Sequence, residues 1–599
     1  MRRLQVAFSR GIGTFVLVVV AILGLSSTVT SRPASAAWPE FGRAITTAPN
    51  NQDDSHAAPD GAGGAIVVWV DAGSGVVDLF AQHVLASGEL DSAWPINGRA
   101  LLTDPTALAV PSQTAPGIVL DGAGGAIVAW VDGRTSSVSG ADVYAQHVLA
   151  SGLVDARWPA NGAALCTATG NQTDLAIVSD GAGGAIVTWM DARGSDTEGG
   201  DIFAQHVLAS GVVDPDWKTN GAAVCTAPGR QVFPELDTDG AGGAIVTWSD
   251  PRSSVTGFDI YAQHVLSSGV MDLAWPDDGR ALCTATGGQI QSTIVSDGGA
   301  PAAGGSGAIV SWSDARDGTA HIFAHHVLAS GALDRAWPVD GLAVCTAPIE
   351  QQHAIMVSDD AGGAIVSWED QRSGIHNIFA QHVLVSGAVD ARWPVNGRAL
   401  STRPTEQTGA TMVEDGAGGA IVAWQDGSVD IFAQHVLASG ALDPVFPVDG
   451  RPVCDLPGAQ NGPSMVAAGP ADAIIAWTDL RSGLTSDIFA LELQAAETTD
   501  VDGPPPAREV TFARPSPNPA VAGVTLRFAL PRETAMRLAI YDVGGRQVRL
   551  LVLGAQPAGG HALAWDLRDE SGQPIGTGIY FARLEAEGHV LARKVAKLN

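Results

Sequence analysis

The residues best placed to do chemistry in this chain recur at a fixed beat. A Trp-x-Asp motif appears eight times, at Trp69/Asp71, Trp130/Asp132, Trp189/Asp191, Trp248/Asp250, Trp312/Asp314, Trp368/Asp370, Trp424/Asp426 and Trp477/Asp479. In six copies an arginine follows two residues later: Arg134, Arg193, Arg252, Arg316, Arg372 and Arg481. A ring of carboxylates of this kind can bind sugar hydroxyls or calcium. It can equally accept backbone N–H bonds in a turn and pair with arginine. A feature copied with the fold serves the fold, and the ligand spacing of a calcium loop is missing. The histidines of "AQHV" (His83, His147, His206, His264, His326, His382, His435) repeat in the same way. One imidazole per copy cannot converge on a single metal at bonding distance, so packing or hydrogen bonding is expected and no metal is assigned.

An asymmetric site must be sought where the copies differ. His321, His325, Glu350, His353 and His376, in the fifth and sixth copies, have no counterparts in most others, and Gly298 to Gly307 is an insertion in the fifth. These five residues are the candidate ligand site. No GxSxG, HExxH or Walker-type motif occurs, no catalytic residue is assigned, and no cofactor is implied. A non-catalytic protein is the favoured reading.

The elements that position these residues follow from the repeat. Successive motif tryptophans are 61, 59, 59, 64, 56, 56 and 53 residues apart, giving eight units. Each holds four strand-like segments, in the third copy Gly162 to Ala168, Gln172 to Asp180, Gly184 to Asp191 and Asp201 to Leu208. An Asp-Gly start between the second and third supplies the positive φ of a tight hairpin. In the segment ending at Asp191 both alternating sets, Ala185/Val187/Trp189 and Ile186/Thr188/Met190, are mainly apolar. Both faces must therefore be covered, and radial stacking of sheets achieves that. The opening Trp38-Pro39 and the closing Asp487 to Leu493 leave no fraction of a repeat over. The expected fold is all-β: an eight-bladed β-propeller of four-stranded units over 38–497, with an open solenoid or two smaller rings as alternatives. A Pro-rich linker (498–510) and a small Ig-like β-sandwich (511–599) follow.

Composition narrows the partners. With 33 Lys and Arg against 63 Asp and Glu, the net charge of −30 repels phosphate backbones and excludes nucleic acid. Residues 1–36 read as a signal peptide: arginines 2, 3 and 10, an apolar run from Ile12 to Leu25, and a cleavage site at Ala34, Ala36 and Ala37. Five cysteines (Cys166, Cys225, Cys283, Cys345, Cys454) share one slot of the repeat and are expected as buried small hydrophobes rather than disulfides.

The last ninety or so residues carry a series: Pro515 to Asn518 and Pro519, then Tyr541-Asp542 with Gly545-Arg546, then Trp565, Gly578-Ile579-Tyr580 and Lys594. This series resembles the C-terminal sorting domain (type A) of type IX secretion substrates and is similar to the Ig-like domain of flagellar hook-capping proteins. Trp565-Asp566-Leu567 departs from the latter, which has a glycine after the aspartate. The resemblance implies outer-membrane translocation through the secretion machinery, and a cell-surface or extracellular destination. Sialidase-type propellers resemble the array in broad architecture. Yet Tyr144 and Tyr261, its only tyrosines, occupy a slot that phenylalanine fills elsewhere, so no tyrosine nucleophile is marked. The expected function is an exported monomer whose propeller binds glycan or protein, with a sialidase-like hydrolase or lyase sited in repeats five and six as the alternative.

Overall fold

The computed structural model describes residues 38–494 and 511–597, except 73–77, 103–115, 135, 137, 194–199, 254–256, 299–305, 428, 470, 513–523, 531–533, 544, 557–558, 566 and 587–588. The expected signal peptide with Ala34, Ala36 and Ala37, the linker, and Asn518 and Pro519 lie outside the described residues. The described residues hold strands and turns, with no helix among them. They divide into two compact units, one built on the strands up to Asp487–Gln494 and one on those from Thr511–Phe512 onward.

The first unit is an eight-bladed propeller. Eight antiparallel sheets follow one another, and the inner strand of each packs on the inner strands of its neighbours all the way round, the eighth against the first. In blade 3 the order is Gln172–Ser179 (inner), Ala185–Asp191, Asp201–Val207 and Ala222–Cys225 (outer). The second strand is buried along its whole length because blades cover it on both sides. This is the closed ring, not the open solenoid or the pair of smaller rings.

The blades differ in one respect from the sequence units. The segment before each inner strand, expected to open its own unit, pairs instead with the third strand of the preceding blade: Ala163–Cys166 bonds to Asp142–Val148. The physical reason is that the third strand's free edge needs a partner, and the chain supplies it on its way to the next blade. The offset has a consequence at the ends. The first strand, Arg43–Thr46, is left without a blade of its own and pairs with Asp487–Gln494 as the outer strand of blade 8. Arg481 donates to the Phe41 carbonyl (2.9 Å) and Gln52 N–H to the Ser486 carbonyl (3.0 Å), so both ends of the array are clasped together.

Between blades a second device repeats. The indole of Trp158, in the loop between the third and outer strands of blade 2, donates to the Ala209 carbonyl of blade 3 at 3.3 Å, and Trp217 does the same to Ser267 at 2.9 Å. Gly211, at φ +81°, lies flat on the Trp158 ring, and a Cβ there would stand 2.5 Å from it. Only glycine permits both that backbone conformation and that approach.

The second unit is a β-sandwich of a three-stranded sheet (Thr511–Phe512, Val524–Leu530, Gly559–Trp565) and a four-stranded sheet (Gln547–Gln556, Thr534–Asp542, Gly578–Ala586, His589–Lys597). Leu526, Phe528, Leu538, Ile540, Trp565, Leu584 and Val595 form its core.

The clasp can be tested through Ile45, whose side chain is buried between blades 8 and 1. Ile45→Ala should lower the propeller's unfolding free energy by about 2–5 kcal/mol in urea titration, the range for emptying a core isoleucine site. A change under about 0.5 kcal/mol would show that the ends are not held this way.

Candidate functional site

The repeated residues are absorbed by the scaffold. In blade 3 the Trp189 indole donates to Asp191 Oδ2 (2.8 Å), and Arg193 donates to the same oxygen and to the Asn220 carbonyl. Its guanidinium lies 3.8 Å over the Phe203 ring. The same indole–carboxylate bond joins Trp130 to Asp132 and Trp477 to Asp479 at 2.8 Å. It joins Trp248 to Asp250, Trp312 to Asp314 and Trp368 to Asp370 at 2.9 Å. In those three blades Arg252, Arg316 and Arg372 donate to the same aspartate through side chain and backbone N–H. Each motif arginine also covers an aromatic ring, Tyr144 and Tyr261 taking that position in blades 2 and 4.

Two blades depart from the stack. Blade 7 lacks the motif arginine, and Arg403 replaces it from another strand connection, 3.0 Å from Asp426 and 4.3 Å over Phe432. Blade 1 carries Gly73 at the arginine position, and Asp71 is only half-buried, paired in register with Gln52 and Asp78. Asp132, Asp191, Asp250, Asp314, Asp370 and Asp479 are buried and taken up by donors of their own blade, and Asp426 by Arg403 and Thr405 from the connection that leads into blade 7, because an unpaired carboxylate between apolar sheets would be costly.

The histidines are fixed just as firmly. His206 bonds through Nε2 to Asp180 Oδ2 (2.9 Å), in the inner hairpin, and through Nδ1 to Asp214 Oδ2 (2.8 Å), in the outer turn. The same Asp–His–Asp bridge occurs at His83, His147, His264, His326 and His382. His435 bonds Asp415 in the same way. The two carboxylates hold His83, His206, His264 and His326 above the ordinary histidine value, against the opposing effect of burial. The five cysteines are free and buried; burial pushes the thiols of Cys166, Cys225 and Cys283 up to about 12, which leaves no nucleophilic thiolate.

What varies is the inner strand. After a buried glutamine (Gln52, Gln172, Gln231, Gln289, Gln351, Gln407, Gln460), whose amide in most blades caps carbonyls of the preceding loop, the strand bulges. The bulged residue is left-handed in each of the seven blades where it is described: Asp54, Asp174, Phe233, Gln291, His353, Gly409 and Gly462, with φ between 51° and 61°. A bulge re-aims a side chain, and here it turns the least repeated residues of the array toward the channel.

Between blades 4 and 7 these residues line a cavity of about 790 Å³, with Phe233, Glu235, Gln291, Thr293, His353 and Thr408 in its wall. The size suits one small ligand. Phe233 presents nearly half of its surface. His353 donates through Nδ1 to Glu369 Oε2 at 2.9 Å, and the other oxygen of Glu369 accepts the Gly409 N–H at 3.0 Å. Glu369 is buried in the second strand of blade 6, and burial alone would raise its carboxyl; the two bonds outweigh this and hold it below the ordinary value. The carboxylate in turn raises His353. Glu235 is exposed at the cavity wall, and the surrounding protein mass pushes its carboxyl up to about 7.

The residues marked by sequence therefore part company. His353 and His376 line this cavity, His376 tied to Glu406 at 3.0 Å and close to Gln352 and Gln371. His321 and His325 do not. His321 is buried against Gln351 (2.8 Å) and Asp317, and His325 occupies the slot that glutamine holds in other blades, stacked on Trp337. Glu350 is exposed one residue before the inner strand and is not part of the cavity wall. None of the eight motif aspartates, Asp71, Asp250, Asp314 and Asp370 included, is in that wall either. Phe233, Glu235, Gln291 and Glu369 escaped sequence reasoning. The available signal was the loss of copying immediately after the repeated glutamine.

In the sandwich, Asp542 accepts Arg546 N–H and guanidinium bonds around the Gly545 turn (φ 80°), Trp565 donates to the Arg568 carbonyl, and Tyr580 stands edge-on to Trp565. Tyr541 accepts a bond from Arg537, whereas Ile579 is exposed and Gly578 opens the strand that pairs with the one carrying Lys594.

A FlgD Ig-like domain model matches residues 520–589. No curated protein matches the chain. Among solved structures, an ulvan lyase of polysaccharide lyase family PL25 is 8% identical, with 66% of this chain and 95% of that chain covered and a TM-score of 0.41. PorZ, a surface component of the type IX secretion system of Porphyromonas gingivalis, is 12% identical over 91% of this chain and 70% of that one, at TM-score 0.33. The α-L-arabinanase of Penicillium chrysogenum is 11% identical over 54% and 93%, at TM-score 0.32.

The Asp–His–Asp bridges predict a pH dependence whose sign is fixed. Each histidine raised in the fold contributes stability that is full below the unfolded value near 6.5 and is lost as pH rises through the raised folded value. Their partners Asp60, Asp180 and Asp239 are lowered, so their contribution is lost instead as pH falls below the ordinary carboxylate range. The melting temperature should peak in mildly acidic buffer and fall toward alkaline pH. His206→Gln should cost on the order of 2–3 kcal/mol at the peak and flatten the alkaline limb. An unchanged limb in the variant, read by calorimetry, would remove the bridges from this role.

Proposed function

We infer that this is an exported binding protein, cell-surface or secreted, whose propeller holds an extracellular glycan in the cavity of blades 4 to 7. The observation that carries the reading is the wall of that cavity. A half-exposed phenylalanine ring stands beside amides, hydroxyls, an oriented imidazole and a carboxyl. A sugar ring offers one apolar face to stack on an aromatic and a rim of hydroxyls that bond planar polar groups, and this wall supplies both. The protein acts as a monomer, and the Ig-like unit directs it across the outer membrane through the secretion machinery. The basic, apolar and small-residue pattern of residues 1–37 and the series from Tyr541 to Lys594 support that route.

A second reading, turnover of the bound glycan by hydrolysis or elimination, is favoured by one observation. Glu369 orients His353 as a proton-transfer group is oriented, with Glu235 near neutrality in the same cavity.

Screening the purified protein on a glycan array should yield a saccharide that Phe233→Ala weakens by at least tenfold while the fold, read by circular dichroism, is kept. Turnover of an array hit that His353→Ala abolishes would replace the binding reading by the catalytic one. Transport is tested separately: deleting residues 504–599 should strand the chain in the periplasm, and normal surface display of the truncated protein would end the sorting role.

A further inference from the structure

A second cavity, of about 460 Å³, adjoins the first. Asp53, Asp54, Ser55 and His56 of blade 1 form one wall, and Asn461 and Ser464 of blade 8 the other, with Thr411 of blade 7 between. Ala410, on the inner strand of blade 7, borders both cavities. The two therefore follow one another round the channel across six of the eight inner strands, and each alone has the size for a single small ligand. A chain molecule can occupy both.

The second cavity's chemistry differs from the first. It has no phenylalanine, tyrosine or tryptophan and no lysine or arginine in its wall. Asp53 and Asp54 stand together on a wall without a fixed positive charge, and Asp54, although exposed to the cavity, is raised by the desolvating protein around it and, secondly, by Asp53. Ser55 is buried to 3% exposure at the same wall, and its hydroxyl has no hydrogen-bond partner. A buried hydroxyl left unpaired costs about 1–3 kcal/mol unless a ligand satisfies it. Burial holds His56 below the ordinary histidine value, which keeps the imidazole neutral and able to accept. Among the described residues, no three or more His, Cys, Asp or Glu side chains converge as metal ligands. What remains complementary is a compact cation with several donors of its own. An ammonium group brings three N–H donors and one positive charge to an array of carboxylate, hydroxyl and imidazole acceptors.

We propose that Asp53, Asp54, Ser55 and His56 form a second subsite that binds the ammonium group of a linear glycan whose residues carry free amines. The inference rests on the glycan reading of the first cavity and names the chemistry of its ligand. Phe233 stacks one sugar of the chain, and the acidic wall of blade 1 holds the amine of another sugar further along.

Calorimetry with three probes tests this: a glucosamine hexamer, the corresponding N-acetylglucosamine hexamer, and a glucosamine dimer, each against the mature protein. The free-amine hexamer should bind at least tenfold more tightly than the acetylated one and than the dimer. Asp53→Asn/Asp54→Asn should erase the preference by weakening the free-amine hexamer at least tenfold; Phe233→Ala should weaken both hexamers. Equal affinity for the two hexamers, or a preference that survives the double substitution, overturns the subsite. Should neither hexamer bind, the amine inference falls, and the glycan reading falls with it only if the array of neutral saccharides is also blank.

Discussion

A four-stranded sheet that is apolar on both faces cannot be stable by itself, and every blade of this protein is such a sheet. In blades 2, 3, 5 and 6 its second strand is buried from end to end, as in Ala126–Asp132 and Ala185–Asp191, because neighbours lie on both sides. Burial of this kind contributes roughly 25 cal/mol for each Å² of apolar surface removed from water, but only once both neighbours are in place. A linear stack would leave two blades half-covered. Closing the ring covers all eight, and the one-strand offset makes closure a property of the hydrogen bonding, since Arg43–Thr46 completes a blade formed by the far end of the array.

Charge is subordinate to that constraint. A chain with 63 acidic residues folds around buried aspartates because each is met by a donor that the repeat itself brings. The motif aspartate is met by indole and guanidinium, and the hairpin aspartate by imidazole and two backbone N–H groups. In blade 3, Asp180 Oδ1 accepts Ala182 N–H and Gly184 N–H while Oδ2 faces His206. Buried charge that loses its partner is strongly destabilising, which explains why blade 7, lacking the motif arginine, recruits Arg403 to the same place. Blade 1 lacks it too, and there the aspartate, Asp71, is only half-buried.

The same logic separates what a reader of the sequence can see from what it hides. Tryptophan spacing and strands apolar on both faces announce eight blades in a ring. The offset stays hidden because covalent repeats have no marked beginning: "ALCTA" reads as well before its inner strand as after the previous blade. The cavity is harder still. His353 and His376 stand out as uncopied histidines, and they do meet there. His321 and His325 stand out equally, but they fill slots that aspartate and glutamine hold elsewhere, so their novelty is spent inside the blade. Phe233 and Gln291 look like drift in a strand until the bulge, which no residue type announces, turns them into the channel.

That bulge divides the labour of the fold. Left-handed backbone at Asp54, Asp174, Phe233, Gln291 and His353 costs of order 1 kcal/mol or more at each position and persists only where the surroundings over-determine it. The buried glutamine two residues earlier and the fully paired second strand do so. With the backbone fixed from outside, the side chain at the bulge is released from packing duties and can differ from blade to blade. Where blades 7 and 8 place Gly409 and Gly462 there, the strain is relieved and the volume of a side chain is vacated. Gly409 lines the larger cavity and Gly462 the smaller, on either side of Ala410. Variation in this propeller is therefore concentrated at one left-handed position in each of the seven blades where it is described, and room is made where that position is glycine.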